Sequence, residues 1–181
     1  ANIGYIQVVR HCNHFCGFCS NPTTPYVHTF ETMKVLVDDL VARKYFGVIL
    51  TGGEPSLHPE LPRIARYATD QGLHVRMITN GWRMADEGFA KEMAEAGLKI
   101  VHVSVYSTRP AVEERLRGTA ATLEKAYAAV DNAHRHGVEV NINCVINKLN
   151  ADHLDENIRH WLKHHPHVRH FVWNNLDPSM G

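Results

Sequence analysis

Along the chain, blocks of apolar residues switch between a period of two and a period of three to four, the signature of strands alternating with helices. Ile3–Val9 reads as a strand, followed by a cysteine-bearing loop and a segment carrying Pro22 and Pro25. A helix is predicted from Phe30 to about Tyr45, with Met33, Leu36, Val37 and Leu40 on one face. Val48–Thr51 is a short buried strand. Pro59 falls where a first helical turn tolerates proline, and Leu61, Ile64 and Ala68 continue an apolar face that Gly72 ends. Leu73–Thr79 is the third strand. Asp86 can cap a helix carrying Phe89 and Met93 and closed by Gly97, and Lys99–Tyr106 is the fourth strand. Leu123, Ala126, Tyr127 and Val130 mark a helix that Gly137 stops, before a fifth strand at Val138–Ile146. Asp152 is placed to cap a helix with Leu154, Ile158 and Trp161, and Val168–Trp173 is the sixth strand.

Six strands separated by five helical crossovers predict an α/β fold with a parallel sheet, because parallel neighbours need a crossover and helices supply it. Right-handed crossovers curl such a sheet into a barrel or an open wind, and periodicity does not choose between them. On the fourth strand Val101, Val103 and Val105 alternate with His102, Ser104 and Tyr106. On the fifth, Val140, Ile142 and Cys144 alternate with Asn141, Asn143 and Asn147. A small polar face opposite a helix-facing apolar one suits strands that line a ligand cavity. With no repeat, low-complexity tract or internal linker, residues 1–181 read as one domain.

Charge narrows the partners. Nineteen Lys and Arg balance nineteen Asp and Glu, whereas nucleic-acid binders carry a basic excess or stripe, so a polyanionic partner is not expected. No apolar run approaches the roughly 18 residues of a membrane span, and no signal peptide opens the chain. Of the four cysteines, Cys12, Cys16 and Cys19 cluster while Cys144 stands alone. That makes a poor disulfide scaffold and fits a reducing, cytoplasmic setting.

The stretch Cys12-Asn-His-Phe-Cys16-Gly-Phe-Cys19 has C-x3-C-x2-C spacing. Soft thiolates in a tight loop suit zinc or an iron–sulfur cluster, and Gly17 relieves crowding where backbone curls round a bulky inorganic group. Three thiolates on a four-iron cluster leave one iron open, whereas electron carriers use four, and Cys144 is a poor fourth. A zinc site completed by His11 or His14 is the competing reading, that of a non-catalytic metal-binding module. The loop resembles the signature of the radical S-adenosylmethionine (radical SAM) superfamily, with Phe18 at its aromatic position. That resemblance implies a [4Fe–4S] cluster on Cys12, Cys16 and Cys19. It also implies S-adenosylmethionine bound to the open iron and reductively cleaved to a 5′-deoxyadenosyl radical that abstracts hydrogen.

Further motifs follow the strands in the family's order. Thr51-Gly52-Gly53-Glu54-Pro55 matches its GGEP motif; the glycines would let a ligand approach the backbone, and Glu54 would accept from the cofactor's ammonium. Thr79-Asn80-Gly81 is a common turn sequence that also recurs in the family near the cofactor. Ser104 matches a cofactor-contacting serine, Arg117-Gly118 an arginine whose fork suits the methionine carboxylate, and Asn143 an inward asparagine. The plain alternatives are a solvated arginine near a helix start and a buried structural amide. In a parallel sheet the strand C-termini share one edge, so all these motifs converge on one mouth. The resemblance implies the family's partial (βα)6 barrel, open on one side.

The resemblance also bears on substrate. The spacing from Ser104 through Arg117-Gly118 to Asn143, Lys148 and Asn150 looks most like SPASM/twitch-type members that modify ribosomal peptides or protein side chains. A small molecule such as a nucleotide or sugar is the alternative, with flavodoxin or ferredoxin as electron donor. Members of that type carry a cysteine-rich C-terminal extension, so a segment of a longer chain is expected. No residue is singled out as exchanging hydrogen with the substrate. Cys144 reads as a packed small hydrophobe, Trp161 as core, and Trp82 as a cover for the barrel edge. His160, His164, His165, His167 and His170 read as a partly solvated helix end, since no cysteine or carboxylate pattern frames them.

Overall fold

A computed structural model describes residues 1–19 and 21–176. Six strands, β1 (Ile3–Val9), β2 (Gly47–Gly52), β3 (His74–Thr79), β4 (Leu98–Ser104), β5 (Glu139–Ile146) and β6 (Val168–Asn175), form one parallel sheet in sequence order. Strand order equal to chain order means every crossover has the same sense, and the sheet curls with its edges at β1 and β6. The crossovers carry α1 (Phe30–Ala42), α2 (Leu61–Asp70), α3 (Glu87–Glu95), α4 (Pro110–Arg117), α5 (Thr122–Arg135) and α6 (Leu154–His164).

One core lies between the strands and the helical layer. Val48, Leu50, Val75, Met77, Val101, Val103, Val140 and Ile142 meet Met33, Val37, Ile64, Ala68, Met93, Val130 and Trp161. The predicted alternation holds: the valines of β4 are buried against helices, while His102 and Ser104 on its other face are only half-buried. A second, smaller cluster of Tyr106, Leu116 and Cys144, with Phe18 packed on it, sits at the mouth beneath the cysteine loop. Cys144 is the packed hydrophobe its position suggested.

Some boundaries differ from the expectation for local reasons. The proline in the first turn of α2 is Pro62, not Pro59, because Pro55–Leu57 forms a 3-10 turn that delays the helix. Asp86 caps α3 as predicted, its carboxylate accepting from the Phe89 N–H at 2.8 Å. Asp152 does not cap α6; it is exposed and accepts from His153, which occupies the cap. The β4–β5 crossover holds a helix, α4, that the apolar pattern did not reveal, since its buried face includes Glu113 and Arg117.

Candidate active site

The loops after β1, β2, β3 and β4 are stitched together at the C-terminal edge of the sheet. The Phe15 and Gly17 N–H groups donate to the carbonyls of Arg117 (2.8 Å) and Leu116 (3.3 Å), fastening the cysteine loop to the end of α4. Gly118 makes that closure possible: its φ is +62°, and a Cβ there would lie 2.8 Å from the Phe15 carbonyl oxygen. The Asn80 side chain, in the turn after β3, donates to Asn13 at 2.7 Å and lies 3.9 Å from the Cys12 sulfur.

All three loop cysteines are free thiols with open faces: Cys12 and Cys16 are partly exposed and Cys19 is exposed. Burial raises the thiol pKa of Cys12 and Cys16, and neighbouring cysteines add to it, while Arg117, 4.0 Å from the Cys16 sulfur, pulls Cys16 down. Bound cations reverse such mutual repulsion. Two observations describe the space around the thiols. Among the described residues, no group of three ligand atoms within 4.8 Å of one another includes a cysteine, whereas thiolates around one tetrahedral zinc stand roughly 3.8 Å apart. Near Gly17, apart from its two chain neighbours, no heavy atom of the described residues lies within 4 Å of where a Cβ would stand. His14 is buried against the edge of Trp82 with both ring nitrogens unpartnered, and its pKa falls to about 4 through burial and the Arg117 charge. Trp82 thus covers the loop, with the Lys125 ammonium over its ring at 5.3 Å.

The GGEP turn serves a different geometry from the one expected. A Cβ on Gly52 would stand 2.4 Å from the Val9 carbonyl oxygen, and one on Gly53 would stand 2.1 Å from that of His11. The glycines are therefore required by the chain's own close approach, which lets the loops after β1 and β2 lie side by side. Glu54 is 1% exposed. Its carboxylate accepts from the Ser56 N–H (3.1 Å), the Ser56 hydroxyl (2.7 Å), the Thr79 hydroxyl (2.6 Å) and the Asn80 N–H (2.7 Å). Burial lifts its pKa above the ordinary carboxylate range while these donors pull it back. Glu54 thus joins the turn after β2 to the turn after β3, and Thr79, itself buried, is one of its partners.

Arg117 lies at the end of α4, not near a helix start, and is 2% exposed. It donates to Glu113 at 2.9 Å and to the Ser104 carbonyl, with its guanidinium 4.2 Å from the centre of the Tyr106 ring. The other Glu113 oxygen accepts from the Tyr106 and Ser107 N–H groups, at 2.9 and 2.7 Å. Glu113 is the residue that reasoning from the chain missed; its spacing four before Arg117 was the available signal. Ser104 and Asn143 are paired across β4 and β5 on the half-buried face, and neither side chain has a hydrogen-bond partner among the described residues. Phe18 packs edge-on against Tyr106 at 4.7 Å. It also lines an open groove of about 330 Å³ with Gly17, Leu116, Asn147, Leu149 and Leu176.

Comparison with known proteins agrees with this arrangement. Residues 6–160 match the radical SAM superfamily. The chain is 30% identical over 149 residues to Fe-coproporphyrin III synthase of Methanosarcina barkeri, covering 80% of this chain and 37% of that protein. It is 28% identical over 180 residues to GTP 3′,8-cyclase of Xanthomonas axonopodis pv. citri, covering 92% and 53%. Streptococcus suis SuiB shares the fold: bound to its precursor peptide SuiA it superposes with a TM-score of 0.84 at 14% identity, covering 97% of this chain and 39% of SuiB. Bound to S-adenosylmethionine it gives a TM-score of 0.83 at 15% identity, covering 97% and 40%. The chain thus spans from about a third to about half of the length of these curated relatives. On the match across most of its length, the chain belongs to the radical SAM superfamily, whose enzymes use S-adenosylmethionine and a [4Fe–4S] cluster.

Proposed function

We propose that this chain is the catalytic core of a radical enzyme, in which Cys12, Cys16 and Cys19 hold the [4Fe–4S] cluster and the strand-end turns hold S-adenosylmethionine. The observation that carries the reading is one loop of three free, partly open thiols fastened at the mouth where four strand-end turns meet. When bound, the pair supplies one-electron cleavage of the sulfonium to methionine and a 5′-deoxyadenosyl radical, which takes hydrogen from a substrate.

The chain's own residues divide into those that touch and those that position. Ser104 and Asn143, side by side and with no side-chain hydrogen bond among the described residues, are the polar groups offered to the cofactor. Phe18 and the groove beside it offer an apolar wall for a flat ring system. Gly52 and Gly53 present backbone at the rim, while Glu54 and Thr79 act beneath it by fixing the turns. Arg117, neutralised by Glu113, holds the cysteine loop against α4 and places one guanidinium nitrogen toward Cys16. Its charge offsets part of the burial that raises the Cys16 thiol.

For substrate, the spacing from Ser104 to Asn150 supports a peptide or protein side chain. The relatives named for GTP and coproporphyrin support the small-molecule reading. A one-electron donor of the flavodoxin or ferredoxin kind completes the reaction. No helix among the described residues is long and apolar enough to cross a membrane.

The test is anaerobic reconstitution with iron and sulfide, then reductant and S-adenosylmethionine. Brown protein that releases 5′-deoxyadenosine, with release abolished by Cys12→Ser, Cys16→Ser or Cys19→Ser, is the expected result. Colourless protein with one zinc and no 5′-deoxyadenosine would overturn the proposal. Deuterated candidate peptides and nucleotides then sort the substrate classes, because only a true substrate passes its label into 5′-deoxyadenosine.

A further inference from the structure

The sheet's opposite edge carries a second constellation that the order of residues along the chain conceals. Helices return antiparallel to the strands, so α5 and α6 both end at the N-terminal edge, away from the cysteine loop. There Asp131, in the last turns of α5, meets His165, the C-terminal cap of α6, and His167, just before β6. The His165 Nδ1 is 2.7 Å and the His167 Nε2 3.4 Å from the same Asp131 oxygen. All three ligand atoms lie within 4.8 Å of one another.

We propose that Asp131, His165 and His167 form a divalent transition-metal site, with zinc as the fitting ion, that clamps α5 to the turn entering β6. Two imidazole nitrogens and one carboxylate oxygen are a borderline donor set that suits zinc, and three protein ligands leave a fourth position for water. The rings are held ready. His165 is buried, stacked on Tyr127 at 5.0 Å and packed against Trp161 at 5.1 Å. His167 is stacked on His134 at 4.2 Å. Preorganised ligands of this kind lose little freedom on binding.

The His167 Nε2 supplies an independent observation. It is buried and makes no hydrogen bond; the Asp131 oxygen nearby lacks the alignment for one. Buried polar atoms are normally satisfied, and an orphan of this kind is explained by a missing partner that sits between it and the carboxylate. A cleft lined by His134, Gly137, Glu139, His167 and Arg169 reaches the site from solvent. Without metal, the same residues would be a carboxylate hydrogen-bonded to one histidine and nothing more.

The experiment adds one equivalent of Zn²⁺ to the chain with its cysteine loop already occupied by the reconstituted [4Fe–4S] cluster, measures affinity by competition with a chromophoric chelator, and records zinc X-ray absorption. The expected result is one bound zinc in a shell of nitrogen and oxygen only, with affinity falling at least tenfold in His167→Gln and in Asp131→Asn. Both substitutions keep side-chain shape, and circular dichroism reports whether each variant folds. A sulfur-containing zinc shell, no stoichiometric binding by the wild-type chain, or folded variants that bind as tightly as wild type would each overturn the proposal.

Discussion

Substituting Gly53 by alanine isolates the contact that lets the first two strand-end loops lie together. The added Cβ would stand 2.1 Å from the His11 carbonyl oxygen and 2.6 Å from its carbon. Relief requires the loops to part by about 1 Å, an overpacking strain of about 1–3 kcal/mol. That shift stretches the bonds from the Gly53 N–H to Val9 (3.2 Å) and from the Glu54 N–H to His11 (2.9 Å), each worth about 1 kcal/mol. Together the expected loss is about 3–5 kcal/mol. In urea unfolding of the cluster-free chain, followed by circular dichroism, the midpoint should fall by about 1.5–2 M with an unchanged slope. Gly17→Ala is the matched control. Apart from its chain neighbours, no described residue lies within 4 Å of its Cβ position, so the cluster-free fold should be unaffected while iron loading drops. Gly53→Ala within about 0.5 kcal/mol of wild type, or Gly17→Ala equally damaging to the cluster-free fold, would refute the reasoning.

Three further outcomes follow from the same geometry. Burial pushes the Cys144 thiol up to about 12; on the cluster-free chain at pH 8, iodoacetamide should modify it about a thousandfold more slowly than exposed Cys19. As pH rises, more of it becomes thiolate and its rate should climb about tenfold per unit, read by mass spectrometry of the alkylated peptides. Arg117→Lys keeps the charge but loses the fork that spans Glu113 and the Ser104 carbonyl, so stability should fall by about 2–4 kcal/mol and iron content with it; unchanged values would remove Arg117 from its positioning role. Lys44 holds a φ of +60° without being glycine, and Lys44→Gly should raise stability by about 1 kcal/mol in the same urea assay.

The fold and half of the site were legible in the order of residues because both rest on local rules. Period-two and period-three-to-four blocks mark strands and helices wherever the buried face is apolar, and the single crossover sense that accompanies a parallel sheet follows from chain chirality. Cysteine spacing is equally local: three thiols within eight positions must share one loop. The alternation on β4 and β5 likewise told the small polar face from the helix face, and the sheet register then set Ser104 beside Asn143.

What tertiary structure alone decided is the job each polar residue does. Helix α4 was invisible because it buries an ion pair, Glu113 with Arg117, where an apolar stripe would have announced it. Glu54 reads as a rim ligand until its four donors, two of them about 25 positions away, show it buried beneath the rim. His165 and His167 looked unframed because their carboxylate, Asp131, stands 34 positions before the nearer of them. Periodicity and motif spacing report what neighbours along the chain can share. Which distant donors and acceptors meet depends on how the crossovers stack, and only the assembled sheet brings those groups within hydrogen-bonding distance.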